Sequence, residues 1–391
     1  MGKNRKILSH LITALLAACL TAAACFGALC VYAGGYDNVM RGAKLTQILH
    51  ILDKDFVTDT DLDAAVDAAA NGMIESLDDK WSYYMTVQEY SDYLMRTNNS
   101  YRGIGVTVSA SENGFLIATV TRDTPAYQAG IKPDETIVSL NGEPLAGKTT
   151  EELHDDILAL GDESFTLGIL DAAGTEREVT LSTVTVYTTP VSYRMLDGDT
   201  GYIILKNFST GCADDAIAAV DDLVDQGAKS LVFDVRYNGG GFVRELTQLL
   251  DYLLPEGDIF ISRDRNGKED VVTSDANCVT LPMAVLINSD SYSAAELFAA
   301  QLSEYGAAVT VGEATTGKAR SQVSYTLIDG SAIHISHEAY LTSERRDLAE
   351  EGGIKPDVAV ALDDGKKALL YYGQLPFDED DQLIAAVDAV S

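Results

Sequence analysis

The chain has 391 residues, enough for two or three domains. It is 46% hydrophobic and 23% charged and has only 8 prolines, a composition typical of a folded protein rather than a disordered one. The formal net charge of −32 would repel phosphate backbones and so excludes nucleic acid as a partner.

The N-terminus combines positive charge with a long apolar segment. Lys3, Arg5 and Lys6 precede an uncharged run from about residue 11 to residue 33. About 20 apolar residues cross a bilayer as one helix, and its positively charged end stays in the cytoplasm. We therefore predict a single-pass plasma-membrane anchor in residues 1–35, with everything after it outside the cytoplasm. A cleavable signal peptide and a lipoprotein site at Cys19 are the alternatives; the apolar run continues well past Cys19, which favours the anchor.

Two of the five cysteines, Cys212 and Cys278, lie outside that segment. They have no CxxC spacing and no neighbouring histidine, so a metal site is not supported. One disulfide between them and two unpaired buried thiols are both compatible with the sequence.

The remaining chain changes its periodicity twice. Residues 36–100 carry apolar side chains at helical spacing, which predicts a helical region. Residues 101–185 alternate polar and apolar side chains between turn residues, which predicts a small β-rich module. Residues 186–376 alternate strands and helices, which predicts an α/β layered core, and residues 377–391 form a C-terminal tail.

One serine is placed for nucleophilic chemistry. Ser293 follows a predicted buried strand and begins a helix, where backbone N–H groups can hold a developing oxyanion. The same Ser293-x-x-Glu296 pattern is also a capping box, which by itself is the commoner meaning.

One lysine and one glycine run accompany this serine. A lysine such as Lys318 can act as a general base when desolvation favours its neutral form. The segment before it imitates a phosphate-binding loop, but Ala319 replaces the hydroxyl that would bind Mg²⁺. The glycines at residues 239–241 follow a strand and precede a helix, so their N–H groups can closely approach a ligand.

A histidine base is the competing possibility. Only His334 and His337, of five histidines, fall in the predicted core, and no Gly-x-Ser-x-Gly motif accompanies them. A Ser/His/Asp mechanism therefore ranks low.

Six ordered segments together resemble the C-terminal processing peptidases, also called tail-specific proteases. They comprise a Ser-Leu-Asp and aromatic segment, a PDZ-like Arg-Gly-Ile-Gly-Val, an Arg-x-Asn-x-Gly-Gly turn, the serine motif, the lysine motif and a closing Gly-Ile-x-Pro-Asp. These segments are residues 76–84, 102–106, 236–241, 291–296, 317–322 and 353–357.

This resemblance implies an α/β fold with a crotonase-like peptidase core, an inserted PDZ domain and an N-terminal helical region behind the anchor. It implies a serine endopeptidase that needs neither metal nor organic cofactor. Ser293 would be the nucleophile, Lys318 the base and Gln322 the group that orients the lysine amine. The N–H groups of Gly240 and Ala294 would hold the oxyanion, with Gly239 as the alternative donor to Gly240.

The resemblance also implies the partners. The PDZ domain would bind free C-termini of protein or peptide substrates through Arg102, Gly103, Ile104, Gly105 and Val106. A homo-oligomer is an open possibility. Two alternatives are a catalytically inactive PDZ scaffold and a crotonase-like acyl-CoA enzyme.

Overall fold

A computed structural model describes residues 2–161 and 163–391, with side chains for residue 8 and from residue 10 onward. The chain divides into two compact units, one ending at Tyr84 and one beginning at Met85, and each is described by itself. The sequence placed the end of the helical region near residue 100, later than this division.

Three helices make up most of the first unit: α1 Gly2–Tyr32, α2 Tyr36–Asp55 and α3 Leu62–Glu75. Within α1, His10–Tyr32 spans 23 residues with a mean hydropathy of 2.3, enough by length and composition to cross a membrane. A signal sequence near an N-terminus has the same properties, so the anchor stays a prediction.

The second unit begins with a connecting region and the β-rich module. Thr86 and Glu89 form a capping box at the start of the first helix after the unit boundary. The elements are β1 Tyr83–Met85, α4 Val87–Thr97, β2 Ser100–Gly103, β3 Val106–Ser111, β4 Gly114–Val120, α5 Pro125–Gln128, β5 Thr136–Leu140, β6 Glu143–Pro144, α6 Thr150–Ala159, β7 Phe165–Leu170, β8 Glu176–Leu181 and β9 Val184–Tyr187.

The module has a core of its own. Its antiparallel sheet has the order β3-β4-β5-β7-β8, so β3 is an outer strand. Alternate residues of these strands are buried, among them Phe115, Ile137 and Leu167, as expected for a sheet that covers one core. The chain enters and leaves the module through a two-stranded ribbon in which β2 pairs with β9.

The rest of the chain alternates strands and helices, as the sequence predicted. The elements are β10 Val191–Leu196, β11 Thr200–Leu205, α7 Cys212–Asp225, β12 Ser230–Asp234, α8 Val243–Leu253, β13 Gly257–Arg263, β14 Glu269–Ser274, β15 Met283–Ile287, α9 Ala294–Glu304, β16 Ala308–Gly312, β17 Arg320–Thr326, β18 Ala332–Leu341, α10 Leu348–Glu351, β19 Val358–Ala359, α11 Asp364–Tyr371, a short 3₁₀ helix Phe377–Glu379 and α12 Asp381–Val390.

The central sheet has the order β10-β11-β12-β15-β16-β19 and is parallel from β11 onward. Every residue of β12 and β15 is buried, as expected for parallel strands covered on both faces. Side chains of α7, α8 and α9 belong to the core on one face. Those of α12 belong to the core on the other.

This packing revises one expectation and decides between two alternatives that the sequence left open. Residues 377–391 do not form a tail, because α12 buries Leu383, Ala386 and Val390 against the central sheet. Cys212, which is buried, and Cys278, which is half-buried, are both free thiols, so the disulfide that the sequence left open is not formed.

Candidate active site

Two loops meet at the carboxyl edge of the central sheet. Strands β12 and β15 are parallel neighbours, with Asp234 opposite Leu286, so both deliver the chain to the same edge. The loops are also bonded directly: Tyr292 N–H donates to the Asn238 carbonyl at 3.2 Å, and Tyr237 N–H donates to Asn288 Oδ1 at 3.0 Å. The predicted serine and the glycine run are therefore brought together.

Ser293 occupies an unusual backbone conformation between β15 and α9. Its φ of 61° lies in the left-handed region, which non-glycine residues rarely adopt and which recurs at functional sites. Gly240 packs directly against this turn, where a β-carbon would lie 2.8 Å from Ser293 Cβ and 2.9 Å from Ala294 N. Only glycine therefore fits at position 240.

The backbone N–H groups beside Ser293 differ in availability. Gly240 N–H donates to Asn238 Oδ1 at 2.8 Å, and Gly240 is buried. Within residues 2–161 and 163–391, no hydrogen bond is formed by the N–H of Gly239 or of Ala294. The prediction of Gly240 as an oxyanion donor therefore does not fit this conformation. Its alternative, Gly239, is half-exposed and available together with Ala294 at the start of α9.

The carboxylate of Glu296 joins the serine turn to the lysine loop. Glu296 is fully buried on the first turn of α9. One oxygen accepts from Thr315 Oγ1 at 2.5 Å and Gly317 N–H at 2.6 Å. The other accepts from Lys318 N–H at 2.8 Å and Ser293 N–H at 3.1 Å. The capping bond that the sequence predicted, from Ser293 N–H to Glu296, is therefore present. It is one of four hydrogen bonds by which this carboxylate holds the two segments together.

Lys318 lies in the loop between β16 and β17 and is half-buried. Its Nζ is 5.9 Å from the centroid of the Tyr292 ring. Its carbonyl accepts a hydrogen bond from Tyr340 Oη, and the Tyr340 hydroxyl also bonds the Ser293 side chain. Burial raises the pKa of Tyr340, so the phenol stays protonated. Tyr340 thus contacts both segments of the candidate site.

Gln322 is close to this loop in sequence, on β17. Its described hydrogen bonds run from Nε2 to the Arg320 carbonyl at 2.8 Å and to Ser336 Oγ at 3.3 Å. Its predicted role toward the Lys318 amine stays a prediction.

The predicted tail-binding segment runs from β2 into β3. Arg102 and Gly103 end β2, and Arg102 Nη2 donates to the Gly161 carbonyl at 3.4 Å. Ile104 is buried, with its carbonyl accepting from Ala126 N–H at 3.0 Å. Gly105 has a φ of 85°, a backbone conformation that favours glycine. Val106 then begins the outer strand β3.

Comparison with known proteins assigns the chain to a family. The family model "Peptidase family S41" matches residues 199–360, and a PDZ domain model matches residues 116–171. Carboxy-terminal processing protease CtpA of Bacillus subtilis (strain 168) is 30% identical over 347 residues, which cover 88% of this chain and 73% of that protein. The chain belongs to peptidase family S41.

Further similarities agree with this assignment. Carboxy-terminal processing protease CtpB of the same organism is 28% identical over 333 residues, covering 82% of this chain and 68% of that protein. A crystal structure of a candidate S41 protease from Bacteroides fragilis shares the fold, with a TM-score of 0.54 and 19% identity over 88% of this chain and 96% of that one. The predicted resemblance to carboxy-terminal processing serine proteases is therefore confirmed.

His334 is one of the two histidines of the competing mechanism. His334 is half-buried, with Nδ1 2.8 Å from Ser324 Oγ and its ring 5.5 Å from that of Tyr93. Burial, together with the charge of Lys318, lowers the pKa of His334 to about 4. This imidazole is therefore neutral near physiological pH.

Sequence reasoning missed two side chains at the site of this S41 peptidase. Glu296 was visible only as a capping residue, although its place in the serine motif was a signal. Tyr340 lies 22 residues beyond Lys318 in the middle of a strand-like segment, and no local pattern distinguishes it.

Tyr292 is expected to limit the size of the substrate residue at the cut. A β-carbon at position 239 would lie 2.6 Å from Tyr292 Oη. The ring therefore packs against the loop between β12 and α8, residues 235–242, which we call the glycine loop. We expect Tyr292→Ala to raise kcat/KM for a large residue relative to alanine by about tenfold or more. Paired peptides that differ only at that residue measure this ratio. Tyr193→Ala, at an exposed tyrosine of β10, is the control, and an unchanged ratio in Tyr292→Ala would contradict the expectation.

Proposed function

We propose that this S41 peptidase is an endopeptidase that cleaves protein tails through a Ser293/Lys318 dyad. The observation that carries the proposal is the buried Glu296 carboxylate, which accepts from the N–H of both residues. The nucleophile and the base are thus anchored to one rigid group, as catalysis by two coupled side chains requires.

The mechanism follows from the groups present. Neutral Lys318 takes the hydroxyl proton of Ser293 as its oxygen attacks the scissile carbonyl carbon. The N–H groups of Gly239 and Ala294 stabilise the resulting oxyanion. Collapse expels the amine, which takes the proton from Lys318, and leaves an acyl-enzyme. Water then attacks the ester and gives a proton to Lys318. Lys318 passes this proton to the Ser293 oxygen as the new C-terminus is released, which restores the hydroxyl and the neutral amine.

The PDZ domain would select the substrate by its free C-terminus. The outer position of β3 supports this role, because an extended tail can pair with a free strand edge. Its carboxylate would bind where β2 passes into β3, and the left-handed Gly105 helps the N–H groups there converge on an anion. The inactive scaffold is the weaker alternative, because the serine, the lysine and the anchoring glutamate are all present.

The architecture and location complete the proposal. We infer a crotonase-like core into which the PDZ domain is inserted, supported by the parallel sheet with helices on both faces and by the β2–β9 ribbon. We also infer that α1 anchors the protein in the plasma membrane, with the peptidase outside the cytoplasm.

Masking the C-terminus of a substrate is expected to slow its cleavage sharply. Amidation removes the charge that the PDZ domain would bind, so kcat/KM for a good peptide should fall by about tenfold or more. Acetylating the N-terminus of the same peptide is the matched control and should leave the rate unchanged. Ser293→Ala run in parallel identifies any contaminating peptidase. Equal cleavage of the acid and the amide would remove the tail-reading role.

The pH profile is expected to distinguish the lysine base from a histidine base. Lys318 must lose its proton to work, so kcat/KM should still rise with pH above about pH 6. His334, with its pKa lowered to about 4, would already be neutral at pH 6 and would give a flat profile above it. A flat profile measured with wild type would therefore contradict Lys318 as the base.

A further inference from the structure

A buried ionic cluster lies at the base of the glycine loop. The Arg236 side chain is 1% exposed, and those of Asp234 and Asp380 are 5% and 4% exposed. The guanidinium donates to Asp234 through Nε and Nη2, with the shortest contact 2.6 Å. It also donates to both oxygens of Asp380 at 3.1 and 2.8 Å, and to Gln382 Oε1 at 3.0 Å. Two parallel hydrogen bonds between a guanidinium and a carboxylate fix the orientation of both side chains.

The two carboxylates belong to distant parts of the chain. Asp234 ends β12 and immediately precedes the glycine loop. Asp380 is 144 positions from Arg236 and is the N-cap of α12, the last helix. Its Oδ1 accepts from the N–H of Gln382 and of Leu383, both at 3.1 Å. One carboxylate therefore begins the last helix and holds the arginine from which the glycine loop departs.

Other hydrogen bonds also hold the glycine loop: Phe208 N–H donates to the Gly240 carbonyl at 2.8 Å, and two bonds join the loop to the serine turn as described above. Asn238 Nδ2 donates to the Leu205 carbonyl at 2.7 Å, and Asn238 Oδ1 accepts from Gly240 N–H. Tyr237 has a φ of 59°, so the chain turns abruptly one residue after Arg236. Arg236 lies three residues before Gly239, so a displacement of Arg236 would act on the segment that carries this N–H.

We propose that Asp380 is a positioning residue for the peptidase reaction: through Arg236, the docked C-terminal helix sets the glycine loop. This inference rests on the proposed function, because it concerns the oxyanion donors of that site. An oxyanion donor acts only when it is fixed within a few tenths of an ångström, so a shift of the loop lowers the rate. Asp380→Asn leaves Arg236 paired with Asp234 but removes the charge that binds its guanidinium to the start of α12, so the arginine is no longer fixed from both sides.

Asp380→Asn is the test variant, and Asp61→Asn is its matched control. Asparagine is as good an N-cap as aspartate, so the change removes the charge while keeping a cap. Asp61 caps α3 with the same pattern, accepting from Asp63 N–H and Ala64 N–H at 3.1 and 3.0 Å, but lies in the first unit. The readouts are kcat and KM for one tail peptide and the thermal midpoint, with rates normalised to the folded fraction.

We expect Asp380→Asn to lower kcat about ten- to hundredfold and to change KM by less than about threefold. The control should keep wild-type kcat. A folded Asp380→Asn with kcat within about twofold of wild type would overturn the inference. A fall in the thermal midpoint without a fall in kcat would do the same, because it would show a structural role alone.

A second variant keeps the inference testable if Asp380→Asn does not fold. Gln382→Met removes one neutral acceptor from Arg236 and keeps a side chain of similar length at this buried position, so a smaller fall in kcat, about threefold or more, is expected. Unchanged kcat in this variant would overturn the inference. Failure of the proposed function is distinguishable, because wild type itself would then cleave no peptide.

Discussion

Replacing Ser293 with alanine is expected to lower kcat by about 10⁴-fold or more while leaving the fold intact. Ser293 is half-exposed at the start of a helix, so the substitution removes the proposed nucleophile without opening a cavity in the core. Lys318→Met should be equally damaging, because it removes the proposed base. Methionine keeps a side chain of similar length at this position. The double variant should be no worse than either single one, since the two groups act as a unit.

Peptide turnover, followed by mass spectrometry, measures these losses, and circular dichroism checks the fold. Lys355→Met, at an exposed lysine of the same core, is the matched control and should keep wild-type turnover. Near wild-type turnover by Lys318→Met would exclude it as the base, and His334 and His337 would then be the residues to replace.

Glu296→Gln is expected to lower both activity and stability. The carboxylate accepts from four donors in the two segments that carry the proposed dyad. Glutamine turns one acceptor oxygen into an NH₂ group that would face N–H donors. Leaving such buried groups unsatisfied costs about 2–4 kcal/mol of unfolding free energy. Because the serine turn and the lysine loop would then separate, kcat should fall by about a hundredfold or more.

Glu304→Gln is the matched control on the same helix. Its side chain is 5% exposed and accepts from Ser343 Oγ at 2.7 Å and from Arg346 Nη1 at 3.1 Å, at the far end of α9. Urea unfolding and kcat are measured for both variants. We expect Glu304→Gln to lose stability and keep its kcat when folded. If Glu296→Gln loses stability alone, the carboxylate supports the fold without organising the dyad.

The sequence by itself determined the features that depend on neighbouring residues. The apolar run after a basic tip predicted a long N-terminal helix, and the change from helical to alternating spacing predicted the β-rich module. Strand and helix alternation predicted the layered core. Ser293 could be placed at a helix start because a buried strand and a helical pattern flank it. These patterns are local, since a helix or strand face is encoded by spacings of two to four residues.

Only the tertiary structure decided which groups bond across the chain. Gly240 was the first choice from the family resemblance, but its N–H is held by Asn238, so Gly239 becomes the proposed donor. The bond between Arg236 and Asp380 spans 144 positions and converts an assumed tail into part of the core. Spacing in the sequence carries no information about such pairs, because a hydrogen bond depends on positions that are fixed only when the sheet and its two helical layers have packed.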